Sequence, residues 1–401
     1  MRPDGYQPMT IGRGIRCAAA RAPNKAALVL DERQLSYRSL VDRINRVGNL
    51  GRDHFCLMEG DRVALLAPNC LPFVEIVAGM SDIGAIVATL SPRLTRPELR
   101  DILNDCTPRV LIAHPDCRDS VDPAWASEIA IVWLDEEYSA LIDGASPELA
   151  ISKVAEEAPF ALAYTSGTTG RPKGVLLSHR SRAITFMAMA AEYRCFGPDD
   201  NFLALAPMCH GAGFVFACAA LFFGGTTTLF SSADPEAILA RIGQGDITGV
   251  FMVPTHFARI FDLPGATLEK YQAHGLRTII SNAAALPQHL KEAAIAYFGE
   301  GLLHETYGST EGGIVTNIRP ADLRRKPGSV GHPFACVEVE LRRSDGAKAG
   351  VGEPGELFCR GPTSFNGYWQ RPSETRETLV GGWVTVGDIA TADAEDRKSV
   401  V

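Results

Sequence analysis

The sequence predicts an α/β protein: two stacked β/α subdomains with mostly parallel sheets, plus a small β-barrel-like subdomain. Three observations predict it. At 401 residues the chain exceeds what one compact core holds. Short apolar strands alternate with stretches of helical spacing through residues 17–160 and again through 226–281, the pattern of parallel sheets covered by helices. From Gly328 onward the texture changes to short strands separated by turns such as Asp345-Gly346 and Glu353-Pro354-Gly355. The boundaries read from this are 1–180 and 181–327 for the two α/β subdomains and 328–395 for the β subdomain, with 396–401 as a tail.

Leu35-Ser36-Tyr37, followed by Leu40, Val41, Ile44 and Val47, reads as a strand entering an amphipathic helix. Arg62 to Leu66 is a buried strand, Leu71 to Met80 a helix, Ile83 to Leu90 the next strand, Pro97 to Asn104 a helix and Val110 to Ala113 a strand. Arg182 to Tyr193 is helical, and Leu203 to Ala206 is a strand. Phe214 to Phe223 is the most apolar run and ends at Gly224-Gly225. A membrane span needs roughly 20 apolar residues, so this run reads as a buried helix. Thr227–Phe230, Gly249–Val253 and Arg277–Ser281 are strands, with helices near 235–242 and 255–261. Val337–Leu341 and Glu356–Arg360 are strands of the small β subdomain.

Hydrophobic residues make up 46% and charged residues 21%, as in ordinary globular proteins. The net charge of −8, without any Lys/Arg block, argues against nucleic acid or an anionic membrane as partner. The polar N-terminus has no signal-peptide core. The ten cysteines are scattered without a Cys-x-x-Cys pair, which fits a reducing, cytoplasmic setting.

The chemistry concentrates in two stretches. Thr165-Ser166-Gly167-Thr168-Thr169-Gly170-Arg171-Pro172-Lys173-Gly174-Val175 lies between two apolar runs and reads as strand, loop, strand. It holds three glycines, four hydroxyl residues and one lysine. Glycines let the backbone approach a ligand closely, successive N–H groups form an anion nest, and Lys173 adds a mobile positive charge. A polyphosphate is the expected ligand. The loop is not a Walker A loop, since Lys173 stands between Pro172 and Gly174 rather than before Ser or Thr. The second stretch is Glu305-Thr306-Tyr307-Gly308-Ser309-Thr310-Glu311-Gly312. Tyr307 can stack on adenine, Thr310 can donate to an α-phosphate, and Glu311 can hold Mg²⁺, which favours one or two carboxylates plus phosphate oxygens. On its own this stretch would pass for a polar turn between a strand and a helix.

The two stretches, in this order and spacing, resemble the signatures of the adenylate-forming superfamily: acyl-CoA and aryl-CoA synthetases, luciferase and peptide-synthetase adenylation domains. The resemblance runs over residues 17 to 394 and includes Gly60-Asp61-Arg62-Val63-Ala64 and Pro68-Asn69. It implies ATP, Mg²⁺ and coenzyme A as ligands, with a small-molecule carboxylic acid (fatty, aryl or polycyclic) as substrate. The implied nucleotide-binding residues are Thr165, Ser166, Gly167, Thr168, Thr169, Gly170, Lys173, Ala283, Ala284, Ala285, Glu305, Thr306, Tyr307, Gly308, Thr310 and Asp388. Within that set the Ala283–Ala285 turn is a wall against adenine, Glu305 accepts from its amino group, and Asp388 holds the ribose hydroxyls. Lys173, Thr310, Glu311 and His210 are the implied catalytic residues, and Glu311 with Thr165 the implied metal ligands. His210, before Gly211-Ala212-Gly213, stands where the family puts a residue between nucleotide and acyl pocket. Two departures are the missing Asn in Ser178-His179-Arg180-Ser181 and Val386 in place of Thr before Gly387-Asp388.

The implied activity is ATP-dependent formation of an acyl-adenylate, followed by thioester formation with coenzyme A. A family member continues into a lid domain carrying a catalytic lysine; here Asp396-Arg397-Lys398 is followed by the chain end at Val401, and a missing lid with an appended tail is the expectation. A peptide-synthetase-type domain is the first alternative, disfavoured because residues 211–223 contain no carboxylate for an ammonium. A lid-less, non-catalytic nucleotide-binding protein is the second. Gly211, Ala212, Gly213 and Ala283 to Ala285 imply a roomy, neutral, apolar acid pocket. Oligomeric state is open.

Overall fold

Buried apolar strands gather into three sheets in a computed structural model of the chain, which describes residues 5–149, 153–165 and 172–400. The first sheet has seven strands. Its parallel part runs, in spatial order, Pro159–Thr165, Ile86–Leu90, Arg62–Leu66, Val110–Ala113 and Ala130–Trp133. The central strands are almost continuously buried because helices cover the sheet, so they read as apolar runs rather than alternations. Lys173–Ser178 and Gly367–Tyr368 add an antiparallel edge.

The second sheet has nine strands. Its parallel centre is Leu303–Ser309, Thr278–Ser281, Gly249–Met252, Asn201–Ala204, Thr226–Leu229 and Ala26–Leu30. Arg33–Ser36 flanks it antiparallel on one side, and Gly313–Ile318 and His332–Pro333 on the other. Chain order alone puts Ala26–Ser36 with the first sheet. In the fold Leu28 lies beside Thr227 and Leu30 beside Leu229. Periodicity identifies a strand but says nothing of its partner. The helix Ile11–Arg21 travels with this ribbon and packs on the helix Gly211–Phe223. That second helix is apolar all round because it is enclosed all round, with Phe216 stacked on Phe251 at 4.4 Å.

The third sheet is antiparallel. Gly355–Arg360 carries Glu338–Arg342 along one side and Trp383–Val384 and Ile389–Ala392 along the other. The pairings among the described residues form a six-stranded sheet that does not close into a barrel. Residues at the chain end, read from sequence as a tail, contribute the strand Lys398–Val400, paired with Ile389–Ala392. All ten cysteines are free, and among the described residues no helix is long and apolar enough to cross a membrane.

Candidate active site

The first chemical stretch is flanked by an antiparallel strand pair in which Thr165 faces Lys173. Ser166, Gly167, Thr168, Thr169 and Gly170 lie outside the described residues. The segment 365–369 braces this hairpin: Asn366 N donates to Leu176 O and Trp369 N to Gly174 O, each at 2.8 Å. The same segment holds the second chemical stretch. Phe365 N donates to the backbone oxygen of Glu311 at 2.8 Å, and the Tyr368 hydroxyl donates to Glu311 Oε1 at 2.7 Å. Lys173 Nζ lies 5.3 Å from the centre of the Tyr368 ring. One tyrosine therefore touches both the buried carboxylate and the loop lysine.

Residues 305–312 do not join a strand to a helix. They form the end of Leu303–Ser309 and the tight turn into the antiparallel strand Gly313–Ile318. The turn is closed by Ser309 Oγ, which accepts from Gly312 N at 2.9 Å. Only glycine fits at 308, where a Cβ would stand 2.1 Å from Gly313 O. The Tyr307 hydroxyl donates to Asp388, so the residues expected at adenine and at ribose are in contact. Burial first, then this hydrogen bond, raises the Tyr307 pKa and keeps the phenol neutral.

Glu305 is the member of the group that the fold uses internally. It is 3% exposed, pairs with Lys291 Nζ at 2.5 Å and accepts from Leu286 N at 2.8 Å. Its carboxylate thus anchors the turn 282–286 to the strand. Thr306 is buried as well, and its hydroxyl accepts from Asn282 Nδ2 at 2.7 Å. These bonds hold Ala283 at φ +76°, a left-handed conformation that L side chains adopt at a cost. Ala284 and Ala285 are exposed.

A cavity of about 710 Å³ opens between the two sheets' chemical turns. Thr165, His210, Ala283, Gly308 and Thr310 all border it. His210 caps the helix Gly211–Phe223, whose first turn presses so closely on the preceding chain that a Cβ at Gly213 would lie 2.1 Å from Pro207 O. Partial burial, and then the charge of Arg93, lower the His210 pKa, so its imidazole is neutral at pH 7. Val215, Phe216 and Ile314 give the cavity an apolar flank.

The cavity is not neutral, contrary to the sequence expectation. Arg182 lines it and is only 4% exposed. Arg182, Phe186, Met189 and Tyr193 fall on one buried face of the helix His179–Tyr193, at spacings of four, three and four. A charge in phase with an apolar stripe was the available signal. Tyr368, Lys291 and Asn282 carried no such signal, since their roles come from partners distant in sequence.

The profile of the AMP-binding enzymes matches residues 15–369. The chain belongs to the AMP-binding enzyme family. Among curated AMP-binding relatives, a feruloyl-CoA synthase from Amycolatopsis sp is 33% identical over 387 residues, spanning 96% of this chain and 76% of the relative. A sulfoacetate–CoA ligase from Cupriavidus necator is 30% identical over 402 residues, with 96% and 76% covered. The ATP-bound structure of MatB from Rhodopseudomonas palustris superposes with a TM-score of 0.89 at 27% identity, covering 98% of this chain and 78% of that one. The N-terminal domain of FACL13 from Mycobacterium tuberculosis shares the fold, with a TM-score of 0.90 at 24% identity over 98% and 99% of the two chains. This AMP-binding enzyme is an acid–thiol ligase: it activates a carboxylic acid with ATP and passes the acyl group to coenzyme A.

Proposed function

We propose that the two hairpin turns divide the adenylation chemistry of this ligase between them. The observation that carries the reading is that Thr165 and Pro172, flanking the first turn, and Gly308 to Thr310 in the second border one cavity with an apolar flank, while Tyr368 touches both Lys173 and Glu311. A carboxylate oxygen of the acid attacks the α-phosphorus of ATP, the bond to the bridging oxygen breaks, and pyrophosphate leaves. Lys173 and the loop 165–170 take the charge of the departing phosphates. Thr310 donates to the α-phosphate oxygen on which charge develops. Tyr307 lies against the base and Asp388 accepts from the ribose. Neutral His210 separates nucleotide from acyl group as an uncharged donor and acceptor. In the second half-reaction the thiol sulfur attacks the acyl carbon and AMP leaves.

Glu311 fits a cation that shares its shell with phosphates. Among the described residues no cluster of three or more His, Cys, Asp or Glu side chains could hold a metal by itself. Tyr368 occupies Oε1 of Glu311, and Oε2 has no hydrogen bond among the described residues. Mg²⁺ held by Glu311 and Thr165 would neutralise polyphosphate charge, completing its shell with phosphate oxygens and water.

Among relatives, ferulate, indoleacetate and sulfoacetate are named acids, which supports an aromatic or a short anionic acid here. The test is pyrophosphate exchange into ATP with a panel of carboxylic acids. Exchange that depends on one acid class supports the reading, and exchange absent with every acid while ATP binds would refute it.

A further inference from the structure

Among the described residues Arg182 is the buried cation bordering the cavity that the adenylation chemistry does not use. Its side chain is enclosed in the first turn of the helix His179–Tyr193 and borders both the main cavity and a small enclosed chamber behind it. That chamber, of about 20 Å³, is lined by Val77, Phe160, Phe214 and the turn at His210–Gly211. Among the described residues Arg182 makes no ion pair and no hydrogen bond. The carboxylate that borders the main cavity, Glu98, is occupied by Thr95, accepting from its backbone N at 2.8 Å and its hydroxyl at 2.7 Å. Burial lowers the Arg182 pKa only to about 10, so the guanidinium is charged at neutral pH. A buried guanidinium with five donors and no acceptor is costly to keep, and a planar oxyanion matches its fork. The phosphates of ATP are held elsewhere, at Lys173 and Thr310.

Building on the proposed site, we propose that Arg182 is the counter-ion for a second carboxylate, at the end of the acid remote from the reacting group, so that the enzyme takes dicarboxylic acids. The reacting carboxylate meets the phosphate turns, the carbon chain or ring spans the apolar flank, and the far carboxylate accepts a two-pronged hydrogen bond from Arg182. A monocarboxylic acid of the same length would leave the cation without a partner while removing its water.

The experiment measures binding of paired acyl-sulfamoyl adenosines to the 401-residue chain by calorimetry. Each pair differs only in the far end: butanoyl and succinoyl, hexanoyl and adipoyl, octanoyl and suberoyl, phenylpropanoyl and its para-carboxy form. The expected result is that at least one ω-carboxy analogue binds roughly 10- to 100-fold more tightly than its partner. Arg182→Met removes that preference and leaves the affinity of the uncharged analogue within about threefold, while Arg182→Lys keeps part of it. Unliganded Arg182→Met melts no lower than the parent, since it removes an unpaired buried charge of similar volume. Should Arg182→Met fold poorly, the parent's preference and the lysine variant decide. Tighter binding of the uncharged partner in every pair, or a preference that survives Arg182→Met, overturns the assignment of Arg182 alone. Failure of every analogue and of sulfamoyl adenosine to bind overturns the nucleotide site itself.

Discussion

Tyr368 joins the two chemical turns through one ring, so the consequences of changing its neighbours are separable. Lys173→Met should weaken ATP about 10- to 100-fold while the melting temperature stays near the parent's, because the lysine's contact with the tyrosine face is minor beside the phosphate charge it meets. Titration of ATP into parent and variant checks this, and an unchanged affinity would remove Lys173 from the site. Glu311→Gln keeps the shape that accepts from Tyr368 but removes the charge offered to Mg²⁺. Nucleotide affinity measured with and without Mg²⁺ should then differ little in the variant and strongly in the parent. At this scale the sequence was legible where chemistry is dense: Lys173, Thr310 and Glu311 stand among glycines and hydroxyls, and the fold brings Lys173 and Glu311 to one tyrosine, Tyr368. It was silent on the place of Glu305 between Leu286 N and Lys291 Nζ, which depends on a turn and a helix that no local pattern ties to it.

Among the elements, the helix Gln288–Phe298 and the strand Leu303–Ser309 are locked by the Lys291–Glu305 pair, both partners being almost fully enclosed. Removing one partner leaves a buried charge without compensation. Lys291→Met should cost about 3–5 kcal/mol in urea unfolding. The double change Lys291→Met with Glu305→Gln should cost clearly less than the sum of the singles. Additive losses would mean that the pair is not coupled. Helices and strands were legible to within a few residues where burial enforces a clean period: Pro235–Ile242 and Val110–Ala113 are found where the pattern puts them. The strand after Glu311 was not, although Ile314, Val315 and Thr316 are β-branched. A short apolar run after a glycine turn fits helix or strand equally well until its pairing partner is known.

For the whole molecule, acid sensitivity should be set in part by two enclosed histidines, His179 and His304. Burial is the main cause that lowers each from 6.5 to about 4. The unfolded chain takes up these protons near pH 6.5 and the folded one only near pH 4, so their contribution is intact above pH 6.5 and is lost as pH falls through that window. Each is worth roughly 3 kcal/mol at most. Urea midpoints from pH 7 to pH 4 should fall less steeply for His304→Gln than for the parent, and parallel curves would exclude His304 as a contributor. The α/β fold class was legible because the alternation of apolar strands with helical spacing is written in composition. The crossing of Ala26–Ser36 into the second sheet was not, since it is decided by which edge is left uncovered. That crossing has a consequence for synthesis on the ribosome. Leu30 can pair with Arg33 at once, but its parallel neighbour Leu229 emerges much later, a delay on the order of 10–40 s at ordinary translation speeds. During that time the hairpin Ala26–Ser36 leaves the edge that will face Thr226–Leu229 bare, and the first sheet can mature before the second has a complete set of strands. The order of emergence and the order of assembly are therefore different, and the earliest residues made are among the last to be secured.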